Sequence, residues 1–535
     1  MPRRNGQPVG TTPDTRRWWT LAAMALAVLA IGLDLTILST ALPTLARDLH
    51  ASTTDLQWFA NSYTLVLAAL MLPAGAVSDR VGPKPLMIGA LVVFGAASVG
   101  SGLSTSPGML TGFRALLGLG AAFLMPVSMS LLTIVFPAEE RARAMGLWIT
   151  ANSLGVPVGP LLGGWMLDHF HWGWVFFINV PVVLVALVAV AILVPRTRGS
   201  RAVRIDLPGI VLSSAALVLL TYGFIRAGQA GWGSSGPWIL ITAGIAVMAG
   251  FVWQQARTGS GLVDLSLFRS RTFTWSTVLL TVTAFGMMGL MFVLPQYFQS
   301  VRGASAFESG LRLLPVILGL AVGARVGDRL VTRLGGRVVA PVGLGLIIVA
   351  GALGAQTTAA SSWWFVHSWE TLAGVGMGLA LPVLVALGTS ELPESRTGTG
   401  SAVLQTARQA GGTLGVAILG SVLAAGYRSG LEVGALPGAL VRVARDSVQG
   451  AIAVADAVHL PALADSAKAA FVSGMSLTLV VTSLVLVLPF VAGFAFLPGR
   501  RALASLEPVT TTREGDGDSA TGSDGIPGVA ATMPE

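Results

Sequence analysis

Cysteine is absent from this chain of 535 residues, so disulfides and thiolate metal sites are excluded at the outset. Histidine is sparse, with five copies, and His169 and His171 read as interfacial packing in one loop; no metal and no cofactor are expected. Lysine is almost missing, since only Lys84 and Lys468 occur among 33 basic residues. A phosphate-cradling loop needs a lysine followed by Ser or Thr. Lys84 lies between Pro83 and Pro85 and Lys468 between Ala467 and Ala469, so no ATP site is encoded. Charge as a whole is scarce, at 11% of residues against about 25% in an ordinary soluble domain.

Apolar residues take its place. They make up 53% of the chain and gather in runs of about twenty residues, each long enough to cross about 30 Å of hydrocarbon as a helix. Fourteen runs are read, at 19–40, 54–75, 85–104, 108–131, 142–164, 174–194, 208–227, 236–255, 273–298, 308–327, 338–357, 365–389, 402–426 and 471–496. The expected fold class is an all-α integral membrane protein with 14 transmembrane helices. The first run is too long for the apolar core of a cleavable signal and is expected to stay in the bilayer as helix 1.

Assigning the loops to alternate sides sorts the arginines. One side collects both termini with Arg16, Arg17, Arg80, Lys84, Arg141, Arg143, Arg196, Arg198, Arg329, Arg333 and Arg337 among others; the opposite loops hold only Arg47, Arg302, Arg428, Arg442, Arg445 and Lys468. By the positive-inside rule both termini are cytoplasmic. The net charge of +8 then reflects topology and implies no nucleic-acid partner.

An internal repeat is also legible. VSDRVGPK after helix 2 matches LVTRLGGR after helix 10, pairing Arg80 with Arg333, Gly82 with Gly335 and Lys84 with Arg337 at an offset of 253 residues. Pro43 pairs with Pro295 at an offset of 252. A step of eight helices implies two six-helix halves with two helices inserted between them. The expected organisation is a disordered cytoplasmic tail (1–17), an N-terminal half (18–195), linker helices 7 and 8 (196–260), a C-terminal half (261–500) and a disordered cytoplasmic tail (501–535). A long external loop at about 427–470 alternates apolar and charged residues, as an amphipathic surface helix or a cap on helices 13 and 14 does.

Glycine and proline, the poorest helix formers, crowd the fifth run: GLWITANSLGVPVGPLLGGW, Gly146 to Trp165. Gly155, Gly159 and Gly163 recur at every fourth residue, which lines one helix face with bare backbone and permits close approach. Pro157 and Pro160 remove amide donors and bend the helix. The expected use is a tight, kinked seam against a helix of the other half that closes the outer side.

Several stretches resemble the major facilitator superfamily. GAVSDRVGPK, from Gly75 through Asp79, Arg80 and Gly82 to Lys84, is similar to its cytoplasmic loop motif, and Arg114 of GFRALLGLG to its helix 4 arginine. Gly146, Gly155, Gly159, Pro160, Gly163 and Gly164 match its antiporter motif. LDLTILSTALP, LQWFANSY and HWGWVFFINVP resemble the fourteen-span drug:proton antiporters, and Arg312 and Arg408 resemble arginines of that group; Gly173 and Thr332 depart from its pattern. The resemblance implies the major facilitator fold and a cytoplasmic lock in which Asp79, Arg80 and Lys84 work with Arg141 and Arg143.

A transporter without an ATP site runs on an ion gradient, which requires an ionisable group inside the membrane. Asp34, with Arg114 at about the same depth, is the leading proton-coupling candidate, and Glu370 of helix 12 is a further one. Tyr63, Phe123 and Met125 are candidate substrate-cavity residues. The expected function is proton-coupled efflux of a lipophilic drug, antibiotic or cationic compound by a monomer in the bacterial cytoplasmic membrane, with small-molecule substrate, protons and the lipid bilayer as partners. A facilitator-superfamily importer or uniporter is the alternative. No enzymatic activity is expected.

Overall fold

A computed structural model describes residues 14–194, 206–258, 262–390, 392, 394–434 and 436–498. The expected tails at 1–13 and 501–535, the arginines between 196 and 204, and the side chain of Asp79 lie outside the described residues. All described regular structure is helical. The first group of helices is α1 (Asp14–Asp48), α2 (Thr53–Val81), α3 (Pro83–Gly102), α4 (Pro107–Val135), α5 (Ala138–His169), α6 (Trp174–Phe177) and α7 (Asn179–Leu193). An inserted pair follows, α8 (Leu207–Ala230) and α9 (Ser235–Arg257). The second group is α10 (Arg271–Gln296), α11 (Ala306–Arg312), α12 (Leu314–Leu334), α13 (Gly336–Gly354), α14 (Trp363–Ser390), α15 (Glu394–Gly430), α16 (Gly438–Asp446), α17 (Val448–Ala457) and α18 (Pro461–Phe496).

Among the described residues thirteen spans are long and apolar enough to cross a membrane, with α6–α7 and α11–α12 each forming one of them. The helix α5, at 32 residues, is the fourteenth of spanning length. The chain is a multi-pass membrane protein. Its outward faces agree, because α18 alone exposes Leu484, Leu488 and Val491 along one stripe, suited to lipid and not to water. One end of the bundle carries the start of α1 and the end of α18; we call it proximal and the other distal.

Local chemistry sets the helix ends. Ser52 and Asp55 form a capping box at the start of α2, and Ser305 and Glu308 form one at the start of α11, again 253 residues apart. Gly82 (φ 100°) and Gly335 (φ 79°) make the proximal turns after α2 and α12, a backbone shape that favours glycine. Lys84 then donates from Nζ to the carbonyls of Ala191 (2.8 Å) and Val194 (2.6 Å), while Arg337 donates from Nε to Phe494 O. Each basic residue thereby ties the helix it begins to the end of the last helix of its group. Burial raises the carboxyl of Asp206, but donors from Gly209, Gln255, Leu262 and Gln254 outweigh it and hold it below its ordinary value. That clasp joins α8 to the end of α9.

In the first group α5 and α7 pack on α1, and α4 packs between α2 and α3. In the second, α14 packs on α12 and α13, and α15 on α10 and α18. The pair α8–α9 leans on α15 and α2. Among the described residues, hydrogen bonds between the two groups gather in the distal part. Gln299 Nε2 donates to Thr40 O (2.8 Å), Thr53 Oγ1 to Asp446 O (2.8 Å) and Gln57 Nε2 to Ala417 O (3.1 Å). Asp168 accepts from Ser305 Oγ (2.7 Å), Ala306 N (3.0 Å) and Phe307 N (3.0 Å).

Two expectations change. Residues 14–17, expected in the disordered tail, form the first turn of α1, where Arg16 Nη2 donates to Ile192 O (2.9 Å) and Arg17 pairs with Glu140 (3.3 Å). The stretch 427–470 is no single amphipathic helix: α16 and α17 fold over the distal end and α18 begins at Pro461. Tyr427 Oη donates to Ala444 O (2.7 Å), and α17 buries Val448, Ala451 and Val454.

Candidate functional site

Asp34 lies mid-way along α1 and Arg114 two turns into α4, and both are buried, 3% and 1% exposed. A charge in an apolar interior persists where a partner satisfies it. Arg114 Nη1 donates to Asp34 Oδ2 at 2.5 Å, and its Nε donates to Phe59 O at 3.1 Å. The guanidinium also lies 4.7 Å over the ring of Tyr63. Asn179 Nδ2 donates to the other carboxylate oxygen, Oδ1, at 3.3 Å, and to Ser98 Oγ at 3.2 Å. Five helices, α1, α2, α3, α4 and α7, thus converge on one ion pair. Around it several buried polar atoms have no partner among the described residues, including both side-chain polar atoms of Asn61, Tyr63 Oη and Asn179 Oδ1. Each of these buried polar atoms costs free energy for as long as it stays unpartnered.

Arg114 also lines a small cavity of about 50 Å³ between the two groups, well below the range of about 300–1,000 Å³ typical of sites for small molecules, so a drug-sized guest requires the two walls to part. Leu35, Leu38, Ser39, Ala60 and Thr64 form its first-group wall; Met288, Met291, Phe292, Gly412 and Val416 form the other. This corrects the sequence-based choice of cavity residues. Tyr63 is fully buried beneath Arg114, Met125 is in the core, and Phe123 packs against it, so none of the three lines the cavity. The reason is register: the choice went to helix faces turned into the first group. A second, apolar void, beside Trp369 and Met377, lies wholly within the second group.

Glu370 does not join the pair. It is fully buried in α14, with Oε2 3.2 Å from His367 Nδ1 and with Oε1 unpartnered among the described residues. Nearby Arg302 and Arg312 stack on the ring of Trp363, at 4.1 and 3.7 Å. Arg408 donates from Nε to Gln405 Oε1 at 3.0 Å.

The helix α5 carries a second correction. Gly155, Gly159 and Gly163 face α1, within the same group: a Cβ on Gly155 would sit 2.5 Å from the backbone of Gly32, and one on Gly163 2.8 Å from Ile37. Gly159 abuts Thr36, whose Oγ1 donates to Gly155 O at 2.8 Å. Contact with the second group comes from the neighbouring face, where a Cβ on Gly164 would meet Ala306 O at 2.5 Å and Gly310 rests on the Pro160 carbonyl. A stride of four keeps one face, and here two such rows lie side by side, 155, 159 and 163 turned to α1 and 160 and 164 to the second group. Gly146 meets nothing within 4 Å.

At the proximal end Gly75 is half-buried and Arg80 exposed. Arg141 Nε donates to Phe136 O (3.1 Å), and Arg143 lies 4.9 Å over the ring of Trp18.

The sequence profile of the Major Facilitator Superfamily matches residues 24–416. The chain belongs to that superfamily. It is a membrane transporter rather than an enzyme. It is 36% identical over 412 residues to the tetracenomycin C resistance and export protein of Streptomyces glaucescens, covering 76% of each chain. It is 35% identical to the multidrug efflux pump LfrA of Mycolicibacterium smegmatis, covering 92% of this chain and 98% of that one. The methyl viologen resistance protein SmvA of Salmonella typhimurium is 32% identical, over 87% and 95%. Among solved structures, a bacterial homolog of the human lysosomal transporter Spinster superposes with a TM-score of 0.66 at 18% identity, over 94% of this chain and all of that one.

Sequence reasoning found Asp34 and Arg114 but missed Asn179, Ser98 and Asp168. Asn179 stood in a quoted motif, HWGWVFFINVP, where an uncharged polar residue inside an apolar run was the available signal.

Proposed function

We propose that this chain is a proton-driven exporter of lipophilic drugs, antibiotics or organic cations, working by alternating access in the bacterial cytoplasmic membrane. The observation that carries the reading is the buried Asp34–Arg114 pair, whose arginine lines the cavity between the two groups. A charged side chain at the bilayer centre costs at least about 2.5–3.5 kcal/mol on insertion scales. A carboxylate that loads and releases a proton gives that cost a use. Protonating Asp34 removes the counter-charge of Arg114, and the turn of α1 that holds Asp34 is the turn seated on Gly155 and Gly159 of α5. A change at the pair therefore bears directly on the helix whose next face meets the second group. The names of the relatives support outward transport.

The proximal end faces the cytoplasm by the positive-inside rule. In that orientation the hydrogen bonds accepted by Asp168 and Thr40 and the one donated by Gln57 close the outer side, and substrate enters from the cytoplasm or the inner leaflet. Gly75, Asp79, Arg80, Gly82, Lys84, Arg141 and Arg143 form the opposite gate, which closes when the outer side opens. One proton moving through about 150 mV yields roughly 3.5 kcal/mol, enough for a gradient of a few hundredfold in an uncharged substrate. The test is dye transport in energised everted vesicles. Asp34→Asn is expected to insert normally and to abolish uncoupler-sensitive transport; wild-type rates in the variant overturn the reading.

A further inference from the structure

We infer that the cavity between the two groups admits uncharged or weakly acidic lipophilic compounds and rejects permanent organic cations. The inference rests on the export reading above and narrows its substrate.

A permanent cation cannot shed its charge, so an apolar site that holds one needs a counter-charge in its wall. Inside the fourteen spans the sequence offers four carboxylates, of which Asp55 and Glu308 cap the starts of α2 and α11 and do not line the cavity, leaving Asp34 and Glu370. Both oxygens of Asp34 are engaged, one by Arg114 and one by Asn179. Glu370 is buried beside His367 and does not line the cavity. The ionised group that does line it is a cation, Arg114. Arg408 lies one turn proximal to Gly412 on the same face of α15, with a glutamine as its described partner. A guest approaching from the proximal end thus meets fixed charge that is positive or already neutralised.

Aromatic rings are the other means of holding a cation. Phe292 is the aromatic residue in the wall, and the face of Tyr63 is taken by Arg114. A single ring returns less than the desolvation of the charge costs. An uncharged ring system needs no counter-charge. Leu35 and Leu38 give it apolar surface, Met288 and Met291 adapt to its shape, and the hydroxyl oxygens of Ser39 and Thr64 retain lone pairs for its donors. The energetics agree, since one proton in for one uncharged molecule out carries net positive charge inward, down the membrane potential.

Acridine and N-methylacridinium share one ring skeleton, uncharged in the first at alkaline pH and permanently cationic in the second. Everted vesicles energised at alkaline pH are expected to accumulate acridine, in an uncoupler-sensitive way, about tenfold faster than N-methylacridinium, a factor that corresponds to about 1.4 kcal/mol. Met291→Glu, which places a carboxylate in the wall, is expected to raise N-methylacridinium transport, while Met291→Gln leaves it excluded. Thr64→Asp repeats the test from the opposite wall. Comparable wild-type rates for the two probes overturn the charge selection and leave export standing. Failure of wild type and of both acidic variants to move either probe overturns export, and the inference with it.

Discussion

Arg114 satisfies three neighbours with one planar group: the Asp34 carboxylate, the Phe59 carbonyl and the ring of Tyr63. A lysine carries the same charge but has no fork to divide between acceptors and no plane to stack. Arg114→Lys is therefore expected to keep the protein inserted while losing at least one charge-assisted hydrogen bond, worth about 1.5–3 kcal/mol, or roughly ten- to a hundredfold in rate if the transport step depends on it. Vesicle transport rates at matched protein levels check this; a loss of less than threefold would show that the fork is not used. The pair itself was legible because a charge inside an apolar run is conspicuous and expensive. Asn179 and Ser98 were not, since an uncharged polar residue costs little in a sequence and becomes informative only when a carboxylate is found beside it.

The same division holds for α5. The row of glycines at every fourth residue declared a face of bare backbone, but not which helix lies across from it. Expectation put the second group there; the structure puts α1, and leaves the second group to Pro160 and Gly164 on the adjoining face. Repeat spacing fixes a direction around the helix axis, whereas the neighbour is set by how the whole bundle closes. The two nearest glycines also differ in what they touch. A methyl on Gly155 meets the backbone of Gly32, which cannot move without moving α1, while a methyl on Gly159 meets the side chain of Thr36, which can rotate at the cost of its hydrogen bond to Gly155 O. Gly155→Ala is expected to cost about 1–3 kcal/mol of overpacking strain, and Gly159→Ala about 0.5–1.5 kcal/mol for the lost bond. Thermal melts of the purified variants, read with their transport rates, check the order; a milder Gly155 variant would place the tight approach elsewhere.

Across the whole molecule, the offset near 253 residues was legible from two loops and a pair of prolines, and the structure adds contacts at that offset that no pattern of letters showed. Lys84 and Arg337 each tie a helix start to the last helix of their group, and Ser52–Asp55 and Ser305–Glu308 form equivalent capping boxes. The distal closure could not be read in this way, because Asp168 and Ser305 lie 137 residues apart, at non-equivalent positions. Alternating access requires that closure to break in every cycle. The carboxylate of Asp168 accepts from Ser305 Oγ at 2.7 Å, so the two side chains are close enough for a cross-link, and a chain without cysteine needs no background mutation. In the double variant Asp168→Cys with Ser305→Cys, oxidation is expected to bridge α5 to the start of α11 and stop transport, with activity returning on reduction. Each single variant controls for loss of the Asp168 cap, and a mobility shift on a non-reducing gel scores the bridge. A fully bridged protein that still transports at the reduced rate would mean that these two ends stay together throughout the cycle, and the distal opening would have to lie between other helices.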